Sequence, residues 1–224
     1  PKAPCVVGYE VAGIIKAIGD EIIPVWLNKD VLALTHFGGY SEIVNVPIKQ
    51  VYLKPNNLTF EQAAAIPVNY LTAYQLLVVM GSLSHDETIL IQNAGGGVGL
   101  AALDIAKKIG AKTIGTASKA KHDFLQQRGF NFVLDYRQNG WLEQVHEITN
   151  NKGVELVIDP IGGKSWKNSL KLLRPTGRLG MFGVSSVTES NLVGAFKYIK
   201  LMIDSPLFMP LSLINGNKAA FGVN

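Results

Sequence analysis

From Pro1 to about Lys54 the apolar positions fall in short β-prone runs, "CVVGYEVAGIIKAIG", "DVLALT", "YSEIVNV" and "QVYLK", separated by glycine, proline and asparagine. That pattern predicts a small all-β unit with no long helix. After "PNNLTFEQAAAIP" the period changes. Strand-like runs ("ETILIQN", "KTIGTA", "FVLD", "VELVID", "GRLGMFG") alternate with helix-like ones ("GVGLAALDIAKKIG", "KAKHDFLQQRG", "WLEQVHEITN", "SWKNSLKLL"). The alternation predicts an α/β domain, a doubly wound parallel sheet with helices on both faces. The change of regime lies near Ala63 to Pro67, so residues 1–64 and 65–224 are read as two domains. The most apolar window, "AAAIPVNYLTAYQLLVVMG", approaches membrane-spanning length. It carries Pro67, Asn69, Thr72 and Gln75 and lacks charged anchors, so it is read as a buried helix after a proline turn. No internal repeat or low-complexity segment occurs.

Composition narrows the partners. The chain has 224 residues, 47% of them hydrophobic, enough for a substantial core. Its net charge of +4 is spread without a basic block or aromatic stripe, which argues against nucleic acid. One cysteine, Cys5, excludes an internal disulfide framework and any multi-cysteine zinc site in this sequence, and it fits a reducing, cytoplasmic setting. The opening "PKAPCVVGYE" has neither a basic n-region nor an apolar h-region, so no signal peptide is read there, and the start looks cut.

The chemistry gathers at "QNAGGGVGLAA". An apolar strand ends at Asn93 and a helix starts about Val98. Gly96 and Gly99 take the second and third glycine positions of the dinucleotide fingerprint, with Ala94 in place of the first. A glycine cluster alone often marks only a turn. Here strand, helix and following strand are all in place, the context the fingerprint requires. A missing side chain at Gly96 lets the backbone of Gly96, Gly97 and Val98 approach a pyrophosphate, and the helix N-terminus supplies donors. Gly99 lets the helix pack closely.

The second strand bears on which dinucleotide is held. An NAD site places Asp or Glu about twenty residues after the glycine turn, on the ribose hydroxyls. This chain has Gly115, Thr116, Ala117 and Ser118, then Lys119, Lys121 and His122. Small residues leave room for a 2′-phosphate and lysine supplies its counter-charge, so NADP(H) fits better. The plainer alternative is that Ser118 caps a helix beginning at Lys119 and the lysines are solvated.

These residues, with "GYSEIVNVP", "AAAIPVNYLTAYQLL", "GTASKAKH", "LDYR" and "DPIGG", resemble the zinc-independent quinone oxidoreductases of the medium-chain dehydrogenase/reductase superfamily. "VNYLTAY" beside "GTASKAKH" resembles the vesicle amine transport protein branch and its bacterial relatives. The resemblance implies that the first half is the later part of a GroES-like β-barrel catalytic domain and the second a Rossmann nucleotide domain, with the family's opening strands and closing segment absent. It implies that Ser118, Lys121 and Tyr136 face the adenosine 2′-phosphate. It also implies that Thr72 and the backbone of Phe182, Gly183 and Val184 surround the nicotinamide. Tyr136 as a half-buried residue after a strand, and Thr72 as a helix-surface hydroxyl, stay open as alternatives. Zinc-dependent relatives have histidine where "GYE" has Tyr9, and their structural zinc lobe needs four cysteines, so neither zinc site is expected. Tyr9 and Glu10 are then read as barrel packing and a local hydrogen bond. His36, His85, His122 and His146 lack ligand or triad spacing. Where relatives have a Gly-Asp-Arg turn, this chain has "NKDV", from Asn28 to Val31.

The expected function is NADPH-dependent hydride transfer to a quinone or conjugated carbonyl in a cleft between the domains. No protein nucleophile or acid/base set is recognisable, so catalytic residues stay unnamed. The rival is a non-catalytic nucleotide-binding protein that acts on a partner, lipid or membrane surface. Pairing of two copies through a sheet edge formed by "GRLGMFG" and "AAFGVN" is suggested by analogy.

Overall fold

The computed structural model describes residues 4–186 and 192–224, and for residues 192–197 the backbone only. The chain divides into two compact units, Pro1–Leu71 and Thr72–Asn224.

In the first unit, β1 (Glu10–Ile14) pairs antiparallel with β2 (Asp30–Leu34), which pairs antiparallel with β3 (Val51–Leu53). The central strand β2 buries Val31, Leu32 and Ala33. The "NKDV" segment continues the β1–β2 pairing: Asn28 takes a left-handed conformation and donates its backbone N–H to the Ile15 carbonyl. The run "YSEIVNV" is not a strand. Tyr40 and Ile43 are 78% and 80% exposed, and no ladder partner pairs with the run among the described residues, so β propensity has no surface to pack on. A capping box between Thr59 and Gln62 starts α1 (Phe60–Ala64), and Pro67 opens α2 (Pro67–Tyr74). The helix crosses the division between the units and continues as a π-helical turn, Gln75–Val79. Only part of its surface is covered: Ala73, Leu76 and Leu77 are buried, whereas Tyr70, Leu71 and Tyr74 are exposed. Among the described residues no helix is long and apolar enough to cross a membrane.

The second unit alternates as its sequence period demands. In chain order it has β4 (Thr88–Ile91), α3 (Gly97–Ile109), β5 (Lys112–Thr116), α4 (His122–Arg128), β6 (Phe132–Leu134), α5 (Trp141–Ile148), β7 (Val154–Asp159), α6 (Lys164–Leu172) and β8 (Leu173–Met181). It ends with α7 (Leu192–Asp204), α8 (Pro210–Gly216) and β9 (Ala219–Gly222). All six strands are parallel, in the order β6-β5-β4-β7-β8-β9. Successive strand residues face opposite sides of the sheet, and both sides are apolar. Ile89, Ile91, Leu156 and Ile158 pack with Leu76, Leu103, Ala106 and Leu125. Leu90, Ile114, Val157 and Leu179 pack on the other face with Val145 and Leu172. This is the doubly wound α/β architecture, and its strand order reverses between β4 and β7. In such sheets ligands bind outside the carboxyl ends of the strands at that reversal. β8 is interior and β9 is the edge, so of the two segments suggested for an edge only "AAFG" lies there.

Candidate functional site

Three loops meet at the carboxyl ends of β4, β5 and β6. After β4, the buried Gln92 donates its backbone N–H to the Ile158 carbonyl of β7, and Asn93 turns the chain in a left-handed conformation that asparagine tolerates. The Ala94 N–H then bonds the Thr116 carbonyl at the end of β5 at 3.0 Å, tying the turn to the neighbouring strand. Gly96 is the N-cap of α3, and its N–H closes back on the Asn93 carbonyl at 3.0 Å. The helix starts at Gly97, one residue earlier than the apolar spacing suggested. Its first N–H groups have no intrahelical acceptor, so they are available to an anion.

The glycines are there for close approach. A Cβ on Gly99 would stand 2.6 Å from the Ala94 carbonyl oxygen and 2.7 Å from that of Asn93, so α3 seats directly on the turn. A Cβ on Gly96 would come within 3.0 Å of Asn93 Nδ2. Gly95 has a role that sequence spacing did not suggest. The Lys121 side chain passes over it, and a Cβ there would lie 2.7 Å from Lys121 Cδ.

Lys121 therefore reaches back from the loop after β5, its Nζ 3.4 Å from the Gly95 carbonyl oxygen. The expected helix at Lys119 is a 3-10 turn, Lys119–Lys121, and the α-helix begins at His122. Ser118 holds the N-cap position, but its side chain makes no capping hydrogen bond. Capping thus does not account for the Ser118 hydroxyl. Tyr136 follows β6 beside this loop, since the Ala117 N–H bonds the Leu134 carbonyl at 3.0 Å. It is 43% exposed, and the Arg137 guanidinium lies 5.5 Å from its ring centre. The acid nearby, Asp135, turns its carboxylate onto the Arg137 N–H at 3.0 Å. His122 is buried, with Nε2 3.3 Å from the Ala117 carbonyl, as a packed rather than a ligating histidine.

Phe182, Gly183 and Val184 follow β8, three strand steps from β5, or roughly 14 Å at the usual strand spacing. The two groups of expected cofactor residues thus lie on opposite sides of the β4–β7 reversal, at the same carboxyl edge of the sheet. Thr72 is half-buried on α2, and its neighbour Ala73 packs in the same apolar cluster as Phe182. Asp159 was not anticipated. It ends β7 fully buried, and its carboxylate accepts bonds from Ile161 N at 2.8 Å, Ser165 Oγ at 2.7 Å and Ser169 Oγ at 2.8 Å. Burial pushes this carboxyl above its usual range, and those hydrogen bonds offset the effect only in part.

In the first unit Tyr9 packs on Phe37, ring centres 5.1 Å apart. Glu10 makes no local bond: its carboxylate accepts the Val68 N–H at the start of α2, at 2.8 Å across 58 residues. Burial raises this carboxyl, and the Val68 bond only partly opposes the shift. Among the described residues no three His, Cys, Asp or Glu side chains are grouped as metal ligands would be.

A glycine turn at a helix N-terminus, at the reversal of a doubly wound parallel sheet, is the architecture of a Rossmann-type nucleotide domain. Residues 97–205 match the family model described as zinc-binding dehydrogenase. The chain is 35% identical over 223 residues to the synaptic vesicle membrane protein VAT-1 homolog of Danio rerio, covering 99% of this chain and 46% of that protein. Among solved structures it resembles the Escherichia coli quinone oxidoreductase complexed with NADPH, at 30% identity and a TM-score of 0.84, covering 100% of this chain and 65% of that one. It also resembles the CurK enoyl reductase, at 28% identity and a TM-score of 0.81, covering 98% and 61% of the respective chains. The chain belongs to the medium-chain dehydrogenase/reductase superfamily. It spans about half the length of the curated relatives it matches.

Proposed function

We propose that this protein is an NADPH-dependent reductase that passes hydride to a quinone or a conjugated carbonyl without zinc. The observation that carries the reading is Lys121 folded over Gly95, which sets an ammonium beside the glycine turn where no acid ends β5. In this reading the amides of Gly97 and Val98 hold the pyrophosphate, and Gly96, its own N–H turned back on Asn93, gives the room for its approach. Ser118, Lys121 and Tyr136 hold the 2′-phosphate end, and Thr72 with Phe182, Gly183 and Val184 surrounds the nicotinamide. Residues 1–64 supply part of a GroES-like catalytic domain and residues 65–224 the nucleotide domain. Bound NADPH supplies the hydride, and the protein supplies position and a dry surface. Zinc is left out because Tyr9, a phenol, stands where a ligand histidine would be, and Cys5 is the single cysteine. The setting proposed is cytoplasmic, with β9 as the edge available for pairing with a second copy.

NADPH oxidation in the presence of simple quinones and enones tests the reading. Turnover with at least one acceptor class is expected. Tight NADPH binding without turnover across the panel would instead favour a non-catalytic nucleotide-binding protein acting on a partner, lipid or membrane surface. That rival has its support in the vesicle membrane relatives.

A further inference from the structure

Two loops at the nicotinamide end of the sheet edge are joined to one buried carboxylate. The turn after β7, Pro160 to Gly163, is fixed from below by Asp159: Oδ1 accepts the Ile161 N–H at 2.8 Å, and Oδ2 accepts Ser165 Oγ at 2.7 Å and Ser169 Oγ at 2.8 Å. Ser165 and Ser169 are four residues apart on α6, so one helix face presents both hydroxyls to the same oxygen. The chain reaches that face through Gly162 and Gly163, both at positive φ (93° and 58°), a conformation that side chains disfavour. The same turn then holds its neighbour. The Pro160 carbonyl accepts the Ser185 N–H at 2.8 Å, and the Ile161 carbonyl accepts both Ser186 N, at 3.2 Å, and Ser186 Oγ, at 2.8 Å. Phe182, Gly183 and Val184 run between the end of β8 and those anchors.

We propose that Asp159, with Ser165 and Ser169, is a positioning cluster that sets the 182–186 loop for the nicotinamide half of the cofactor and leaves the adenosine half to other residues. The inference rests on the cofactor reading above. Its physical basis is a chain of hydrogen bonds running from Asp159 through the 160–163 turn to Ser185 and Ser186. A side chain with one acceptor oxygen in place of two must release either Ile161 N or the serine pair, and either release loosens the turn whose Pro160 and Ile161 carbonyls hold Ser185 and Ser186. The buried network is either satisfied as a whole or costly. The adenosine loops after β4, β5 and β6 share none of these bonds.

The test compares two probes on the full chain. These are 2′,5′-ADP, which carries the 2′-phosphate but no nicotinamide, and NADPH, each titrated calorimetrically against wild type, Asp159→Asn and Ser165→Ala. The fluorescence of bound NADPH is read alongside. The expected result is 2′,5′-ADP affinity within about twofold of wild type in both variants. NADPH affinity should fall about tenfold in Asp159→Asn, since one hydrogen bond to a charged group is worth roughly that much, and less in Ser165→Ala. The emission of bound NADPH should shift towards that of the free cofactor. Ser165→Ala removes a single hydroxyl, so it serves as the readout if Asp159→Asn does not fold. Equal weakening of both probes in the variants would make the cluster merely structural and overturn the proposal, as would unchanged NADPH affinity and emission. Failure of wild type to bind either probe would overturn the cofactor reading itself, and the proposal with it.

Discussion

Removing the Lys121 ammonium should weaken NADPH about ten- to thirtyfold and leave NADH nearly untouched. The lysine is exposed, and its Nζ reaches Gly95 across the glycine turn. A hydrogen bond from an ammonium to a phosphate contributes about 1.5 to 3 kcal/mol. A 2′-phosphate carries roughly 1.5 to 2 negative charges at neutral pH. Two unit charges at 4 Å interact by about 1 kcal/mol in water, which gives about 1.5 to 2 kcal/mol for an exposed pair. Both routes lead to the low end of the range, and each 1.4 kcal/mol is about tenfold. Lys121→Ala also removes the aliphatic stem that lies over Gly95, so Lys121→Met is the control that keeps the stem and loses the charge. Both variants should show the same loss for NADPH and less than about twofold for NADH. The assay is titration of each cofactor at fixed ionic strength, because exposed charges are screened by salt. A wild type that prefers NADH, or equal losses for the two cofactors, would refute the phosphate assignment. Rescue of NADPH binding by methionine would show that the stem, not the charge, was the contribution.

Gly95→Ala should mimic part of that loss, because the new Cβ would stand 2.7 Å from Lys121 Cδ and push the side chain off the turn; unchanged preference for NADPH over NADH in titrations would disconnect Gly95 from Lys121. Arg178→Ala should cost about 2 kcal/mol and lower Tm by about 4 to 8 °C, since the guanidinium bonds both Glu87 oxygens, at 3.0 and 2.6 Å, and those side chains are only 15% and 24% exposed. Burial alone would raise the Glu87 carboxyl, but Arg178 and the Ser84 N–H together hold it below its usual value. Its contribution is therefore present above the ordinary glutamate pKa and fades as pH falls through the lower folded value; Tm measured against pH should lose that acid dependence in the variant. Protein purified without chelator should contain no stoichiometric zinc and should keep its activity in EDTA; elemental analysis finding one zinc per chain would refute the zinc-free reading.

How much of this was readable beforehand depended on the range of the interaction concerned. The alternation of Ile89, Leu90 and Ile91 distributes apolar side chains to both faces of β4, and a strand apolar on both faces is covered on both. The doubly wound sheet was therefore legible from period alone, as was the glycine turn between strand and helix. Strand bounds were not. Leu173, read as the end of the helical run "SWKNSLKLL", opens β8 instead: it pairs with Val154 before a shift of register, where Thr176 turns at positive φ and bonds Asn217. "YSEIVNV" had the composition of a strand, yet composition cannot supply a pairing partner. The site divides in the same way. Lys121 was legible as a counter-charge, but its passage over Gly95 joins residues 26 apart and leaves no periodic trace. Asp159 did leave one: an acid closing an apolar strand, two glycines, and then serines four apart at the start of a helix. That spacing reads as a strand end and a helix face until one asks what a carboxylate buried at 0% exposure must bond to, and the answer is the two serines and the turn between them.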